Sequence, residues 1–199
     1  MRTLTEADYL LGVADIARLG ALRFRRVGQE AFRSPLRDGG VPPFIELPRL
    51  LSVTERVLRD EETEDDLLLL FAPGSSLGGA RPKVSVADRD GHPAIAEFPK
   101  EDDDYSIETW EEVALRLADM AGIRTAAHRL ERVAGKAVVL SRRFDRDAAG
   151  RRFPFLSAMS MMNLVDGDHG SYPELVEILR TYGSDTDADA AELFRPVPA

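Results

Sequence analysis

Between positions 74 and 83 the chain reads Gly74-Ser75-Ser76-Leu77-Gly78-Gly79-Ala80-Arg81-Pro82-Lys83. Adjacent glycines let backbone N–H groups approach an anion closely, and a serine hydroxyl and a lysine add donors, so this loop is a candidate phosphate cradle. It is not a Walker A loop, which needs Gly-Lys-Ser/Thr opening a helix, nor the glycine loop of eukaryotic kinases. On local chemistry alone, a mobile linker is the commoner explanation of such a run. The other reactive residues are scattered. His92, His128 and His169 are isolated, without metal-ligand spacing, and are expected at the surface or in turns. Asp102-Asp103-Asp104 is followed by no regular ligand series; it reads as a solvated loop placing negative charge at the start of a helix. Ser157 and Ser160 lack the histidine–carboxylate context of a hydrolase triad. No metal site is expected.

The elements that must position these residues follow from periodicity. Glu6 to Ala17 reads as a short helix with Thr5 as N-cap, and Ala21 to Arg26 as a strand by its alternation. Gln29 to Pro43 is a loop rich in proline and glycine. Leu47 to Arg59 is a helix, and the acidic run from Asp60 leads into a buried helical turn, Leu67 to Phe71. Val84 to Asp88 and Ala94 to Phe98 flank Asp90-Gly91 as a hairpin, and Ala126 to Val133 and Ala137 to Phe144 form a second around Gly135. Between them, Ser106 to Ala121 carries Ile107, Trp110, Val113, Ala114, Leu117 and Ala121 at helical spacing, with Trp110 as the expected core anchor. Further helices are expected over Phe155 to Leu164, Tyr172 to Tyr182 and Asp187 to Phe194, with Met159, Met161 and Met162 filling a core. Two hairpins around one helix give an antiparallel sheet with a helix on one face, an α+β fold. The expected division is 1–72 as a helical and strand subdomain, 73–145 as the lobe with the glycine loop, and 146–199 as a helical segment.

The 199 residues contain no cysteine, which excludes a disulfide framework, a zinc-thiolate site and a cysteine nucleophile. A net charge of −9 argues against broad binding to a phosphate backbone, so no direct nucleic-acid contact is expected, although Arg23, Arg25 and Arg26 and then Arg142, Arg143 and Arg146 cluster locally. No stretch approaches the ~18 apolar residues of a membrane span, and the first residues lack a signal-peptide apolar core, so a cytoplasmic protein without membrane contact is expected.

The order of segments resembles HipA-type toxin kinases over roughly residues 5 to 195. The glycine loop resembles their phosphate loop, Ile95-Ala96-Glu97-Phe98-Pro99 their nucleotide-lysine strand, and Trp110-Glu111 with Ala114-Leu115, Leu117-Ala118 and Ala121-Gly122-Ile123 their lobe helix. Arg143-Phe144-Asp145-Arg146 resembles the hinge strand, and Ser157-Ala158-Met159 the segment after it. The resemblance implies a kinase-like two-lobed fold that transfers phosphate from ATP, with Mg²⁺, to a protein serine or threonine. It also implies pairing with a HipB-like antitoxin. The nucleotide-binding residues it implies are Ser75, Ser76, Gly78, Gly79, Lys83, Glu97, Glu111, Arg142 and Phe144, with Ser76 as the autophosphorylated serine and Arg142 and Phe144 where the hinge backbone meets adenine.

Two departures from the family pattern qualify that implication. Glu97 stands where the family carries the lysine that grips the α- and β-phosphates. A unit charge at about 4 Å is worth on the order of 4 kcal/mol at an effective dielectric of about 20, so the reversed sign weakens nucleotide binding unless Lys83 or Lys100 compensates or Glu97 turns away. Nor does the sequence contain the Asp-x-His-x-x-Asn pattern of a catalytic loop. The chain alone is therefore expected to be an ATP-binding lobe without catalytic residues, truncated or half of a split kinase. The alternative is a non-enzymatic interaction module that binds an antitoxin or a complementary C-terminal kinase half.

Overall fold

The computed structural model describes residues 3, 5–32, 46–71, 81–165 and 167–195. It has an α+β architecture whose centre is a four-stranded antiparallel sheet. The strands are β1 (Lys83–Ala87), β2 (Pro93–Glu97), β3 (His128–Val133) and β4 (Lys136–Arg142), in the order β1-β2-β4-β3. Tight turns make both hairpins: Gly91 at φ 81° closes the first, in the left-handed region that suits glycine. The register places Lys83 opposite Glu97 and Glu97 opposite Val139, while Ile95 lies opposite Ser85 and Ser141.

Alternation along the strands divides the sheet into two faces. Val84, Val86, Ala94, Ala96, Val138 and Leu140 point to one face, where Leu47, Leu50, Leu51 and Val53 of α2 (Leu47–Leu58) complete the buried core with Phe98. The other face carries Lys83, Ser85, Ile95, Glu97 and Val139. Helix α4 (Ile107–Met120) packs against β3 and β4 there. Its outer stripe differs from expectation. Trp110, Val113, Leu117 and Met120 are exposed, Trp110 by 63%, while Glu108 and Glu112 are buried. The inward face is acidic because its carboxylates meet partners: Arg81 at Glu108, Arg116 at Glu112, and His128 beside Glu112. Ordinary apolar periodicity could not reveal this.

The flanking segments also depart from expectation. Helix α1 (Glu6–Gly12) stops well before Ala17, and 21–26 forms no strand, having no ladder partner among the described residues. Residues 14–20 are instead drawn against the segment after β4. Helix α3 (Glu64–Phe71) starts three residues earlier than its apolar run, because Thr63 caps it through the Asp66 amide and Asp66 accepts from Arg56. The helix expected over Phe155 to Leu164 shrinks to α5 (Ala158–Met161), since Phe155 is held edge-on against Phe144 at 4.8 Å. Met159 is exposed, and Met161 and Met162 only half-buried, so the methionines fill no core. Helices α6 (Tyr172–Tyr182) and α7 (Thr186–Phe194) pack mainly on each other and contain no fully buried residue.

Candidate functional site

The open half of the α4-bearing face, over β1 and β2, carries a dense set of charges. Pairing opposite each other across adjacent strands, Lys83 and Glu97 form an ion pair between Nζ and Oε2. Arg81, two residues before Lys83 and only 10% exposed, holds Asp103 with both terminal nitrogens and donates from Nε to Glu108 Oε1 at 2.9 Å. It also lies 4.0 Å from Glu97. Asp103 in turn accepts the Lys100 N–H at 2.9 Å, which fixes the loop leading into α4. Glu111, one turn beyond Glu108, completes the set. Burial pushes the Glu111 carboxyl above its ordinary value, and the charges of Glu97 and Glu108 push it further, against Lys83 and Arg81. Two cations therefore face four carboxylates, and each cation is already paired within the chain.

This arrangement can attract a cation or a hydrogen-bond donor more readily than a free anion. Glu108 is fully buried, and its Oε2 makes no hydrogen bond among the described residues. An incoming phosphate would have to compete with Glu97 for Lys83, and with Asp103 and Glu108 for Arg81. Donors suited to a phosphate are thus present, but they do not fit a triphosphate without displacement of the chain's own carboxylates.

The last residue of β4, Arg142, lies opposite Ala94 and therefore on the other face of the sheet. Arg142 turns its guanidinium to the β1–β2 turn, pairing with Asp88 and Asp90, while its N–H donates to Ala127 O at 2.8 Å. Phe144 is 66% exposed beside a cleft of about 280 Å³ lined by Pro93, Ala127, Arg143 and Arg146 among others. So Lys83, Glu97 and Glu111 come together, whereas Arg142 and Phe144 lie at and just beyond the C-terminal end of β4. Ser75, Ser76, Gly78 and Gly79, with the phosphorylation candidate Ser76, lie outside the described residues.

Two features escaped the reading of the sequence. Arg81 sits inside the glycine-loop string, yet only the fold shows that it organises three carboxylates. His128 is no surface histidine: its side chain is 6% exposed, with Nδ1 2.9 Å from Ala126 O and Nε2 3.8 Å from Glu112 Oε2. The only signal for either was an unusual number of glutamates on one helix. Among the described residues no group of His, Cys, Asp and Glu is arranged to hold a metal ion, and no helix is long and apolar enough to cross a membrane.

Comparison with curated proteins and with solved structures finds no match. A family model described as HipA-like C-terminal domain matches residues 75–197, which includes the whole sheet, α4 and the C-terminal helices, and the chain therefore belongs to the HipA-like family.

Proposed function

We propose that residues 81–144 form the nucleotide-facing part of a HipA-type serine/threonine protein kinase in which the phosphate site is neutralised from within. Family membership supports this reading, and so does the placement of the charges. Kinases of the better-known type need a strand lysine paired with a helix glutamate. Here the strand position is Glu97, the helix position is Glu111, and the cation has moved to Lys83 on the neighbouring strand. The Lys83–Glu97 pair is the observation that carries the proposal. ATP with Mg²⁺ is the nucleotide for which the site was shaped, and it binds weakly because Lys83 is occupied. No phosphoryl-transfer step is assigned to these residues.

Calorimetric titration with ATP and Mg²⁺ tests this on the parent and on Glu97→Lys. The variant restores a strand lysine beside Glu111 and frees Lys83. It is expected to bind at least about tenfold more tightly, a difference of about 1.4 kcal/mol. Equal, or equally absent, binding by the two proteins overturns the assignment of Glu97.

The exposed stripe Trp110, Val113, Leu117 and Met120 favours a second reading, an interaction module for a HipB-like antitoxin or a complementary kinase half. On that reading neither protein takes up ATP in the same titration.

A further inference from the structure

The motif Arg143-Phe144-Asp145-Arg146 spends its charged side chains on a distant part of the chain. Asp145, 1% exposed, accepts the Gly20 N–H at 2.6 Å and also receives Arg143 Nε at 2.9 Å and Arg146 Nη1 at 2.6 Å. Arg143 then donates to Ala17 O and Arg18 O, both at 2.9 Å. Arg146 reaches Arg18 O at 2.8 Å, and Arg152 reaches Asp15 O at 2.5 Å. Arg152 also pairs with the Asp15 carboxylate at 3.2 Å. Gly20 has φ 69°, and a side chain there would sit 3.5 Å from the Phe155 ring that packs on Phe144. Ala14 and Ala17 are buried.

The bonds that Arg143, Arg146 and Arg152 make to this segment go mainly to its backbone carbonyls, while the Arg18 side chain donates to the Leu10 and Val13 carbonyls where α1 ends. The segment lies outside the stretch matched by the family model, whereas its receptor lies inside it. Burial alone would raise the Asp145 carboxyl, but the hydrogen bonds from Arg143 and Gly20 and the charges of Arg143 and Arg146 outweigh that and hold it below the ordinary value. The guanidiniums of Arg146 and Arg152 are crowded: burial, then neighbouring arginines, lower both. The cluster is stable as a set only while the carbonyls of residues 15–20 solvate it, since buried cations without partners are costly.

We propose that residues 14–20 are a strap latched by Asp145 across the segment that follows β4, and that the strap opens as a unit separate from the sheet. Seated, it fixes Arg143, Phe144 and Phe155. Lifted, it leaves three guanidiniums and the Phe144–Phe155 pair to rearrange.

Amide hydrogen exchange on the full chain tests this. In Asp145→Asn, the Gly20 amide and its neighbours in 14–22 are expected to exchange about ten- to a hundredfold faster, as expected on removing a charged hydrogen-bond acceptor. Amides of Val84, Val86, Val138 and Leu140 are expected to keep their parent rates, and trypsin to cut after the otherwise buried Arg18. Arg152→Lys keeps a charge but loses the fork, and decides the matter should Asp145→Asn not fold. It is expected to accelerate the same amides by a smaller factor. Strap and sheet accelerating together in the variants that fold, or strap rates unchanged in them, overturns the proposal.

Discussion

Residues 83–142 and residues 158–194 carry equally well-marked secondary structure, and only the first stretch has an interior. The sheet, Phe98 and α2 together form one cluster of twelve buried residues, among them Leu50 and Val138. Helices α6 and α7 have good local signals instead. Ser171 forms a capping box with Glu174, Pro173 sits in the first turn of α6, and Asp185 caps α7 by accepting the Ala188 N–H. Yet Leu175, Val176, Ile178 and Leu179 are only half-buried, and Phe194 and Tyr182 are largely exposed. Local capping specifies where a helix begins; burial against another layer supplies most of its stability. The sheet has both kinds of support, and the C-terminal helices mostly one.

The sharpest way to break this contrast is to delete one apolar side chain from each region. Phe98 is fully buried beneath β1 and β2, so Phe98→Ala is expected to cost about 3–5 kcal/mol. Leu179→Ala removes a half-exposed side chain, and roughly 1 kcal/mol is expected, since only part of its transfer free energy is lost. Urea denaturation midpoints measure both. Equal losses would mean that α6 is packed as firmly as the sheet.

The same contrast explains what could be read from the sequence. Both hairpins were legible because short alternating runs flank Asp90-Gly91 and Gly135, signals that act over a few residues. The bounds of α6 were legible because Ser171 and Gly183 mark them. Trp110 was not, because the stripe rule assumes that apolar residues face inward, whereas α4 faces inward with Glu108 and Glu112 and meets Arg81 and His128. Residues 15–20 failed for a related reason. Their backbone partners are the side chains of Arg143, Asp145, Arg146 and Arg152, more than a hundred residues away, and no local pattern encodes such a contact. Of the candidate site, Lys83, Glu97 and Glu111 were legible through the family resemblance. Their mutual pairing needed the strand register.

A smaller effect is expected where capping carries the load. Ser171→Ala removes the side chain that accepts the Glu174 N–H and should cost about 1 kcal/mol of local helix stability. Because α6 lacks a buried face, the loss should appear as faster amide exchange in residues 172–182 and a lower helical signal, with the urea midpoint of the sheet unchanged. A shift of the sheet's midpoint would show that the two regions unfold as one.

The smallest expected effect belongs to the sheet half and is read from pH. The Glu111 carboxyl is raised in the folded state by burial first and then by Glu97. A group with a raised folded value contributes stability that is complete below its unfolded value, about 4.3, and is lost as pH rises through the folded value. Glu111→Gln removes that loss, so its urea midpoint should match the parent's near pH 4 and exceed it increasingly toward neutrality. Asp15, Asp88 and Asp145, all held below the usual carboxylate range, work in the opposite sense: their stabilisation disappears as pH falls below about 4. They are common to both proteins and cancel in the difference. Introducing Glu97→Lys into the parent should make stability fall less steeply with pH, because a cation then replaces a like charge beside Glu111 while the burial that raises it remains. A difference that stays flat from pH 4 to 8 in both comparisons would mean that Glu97 and Glu111 do not share a site in solution, and the internal neutralisation of Lys83 would lose its footing.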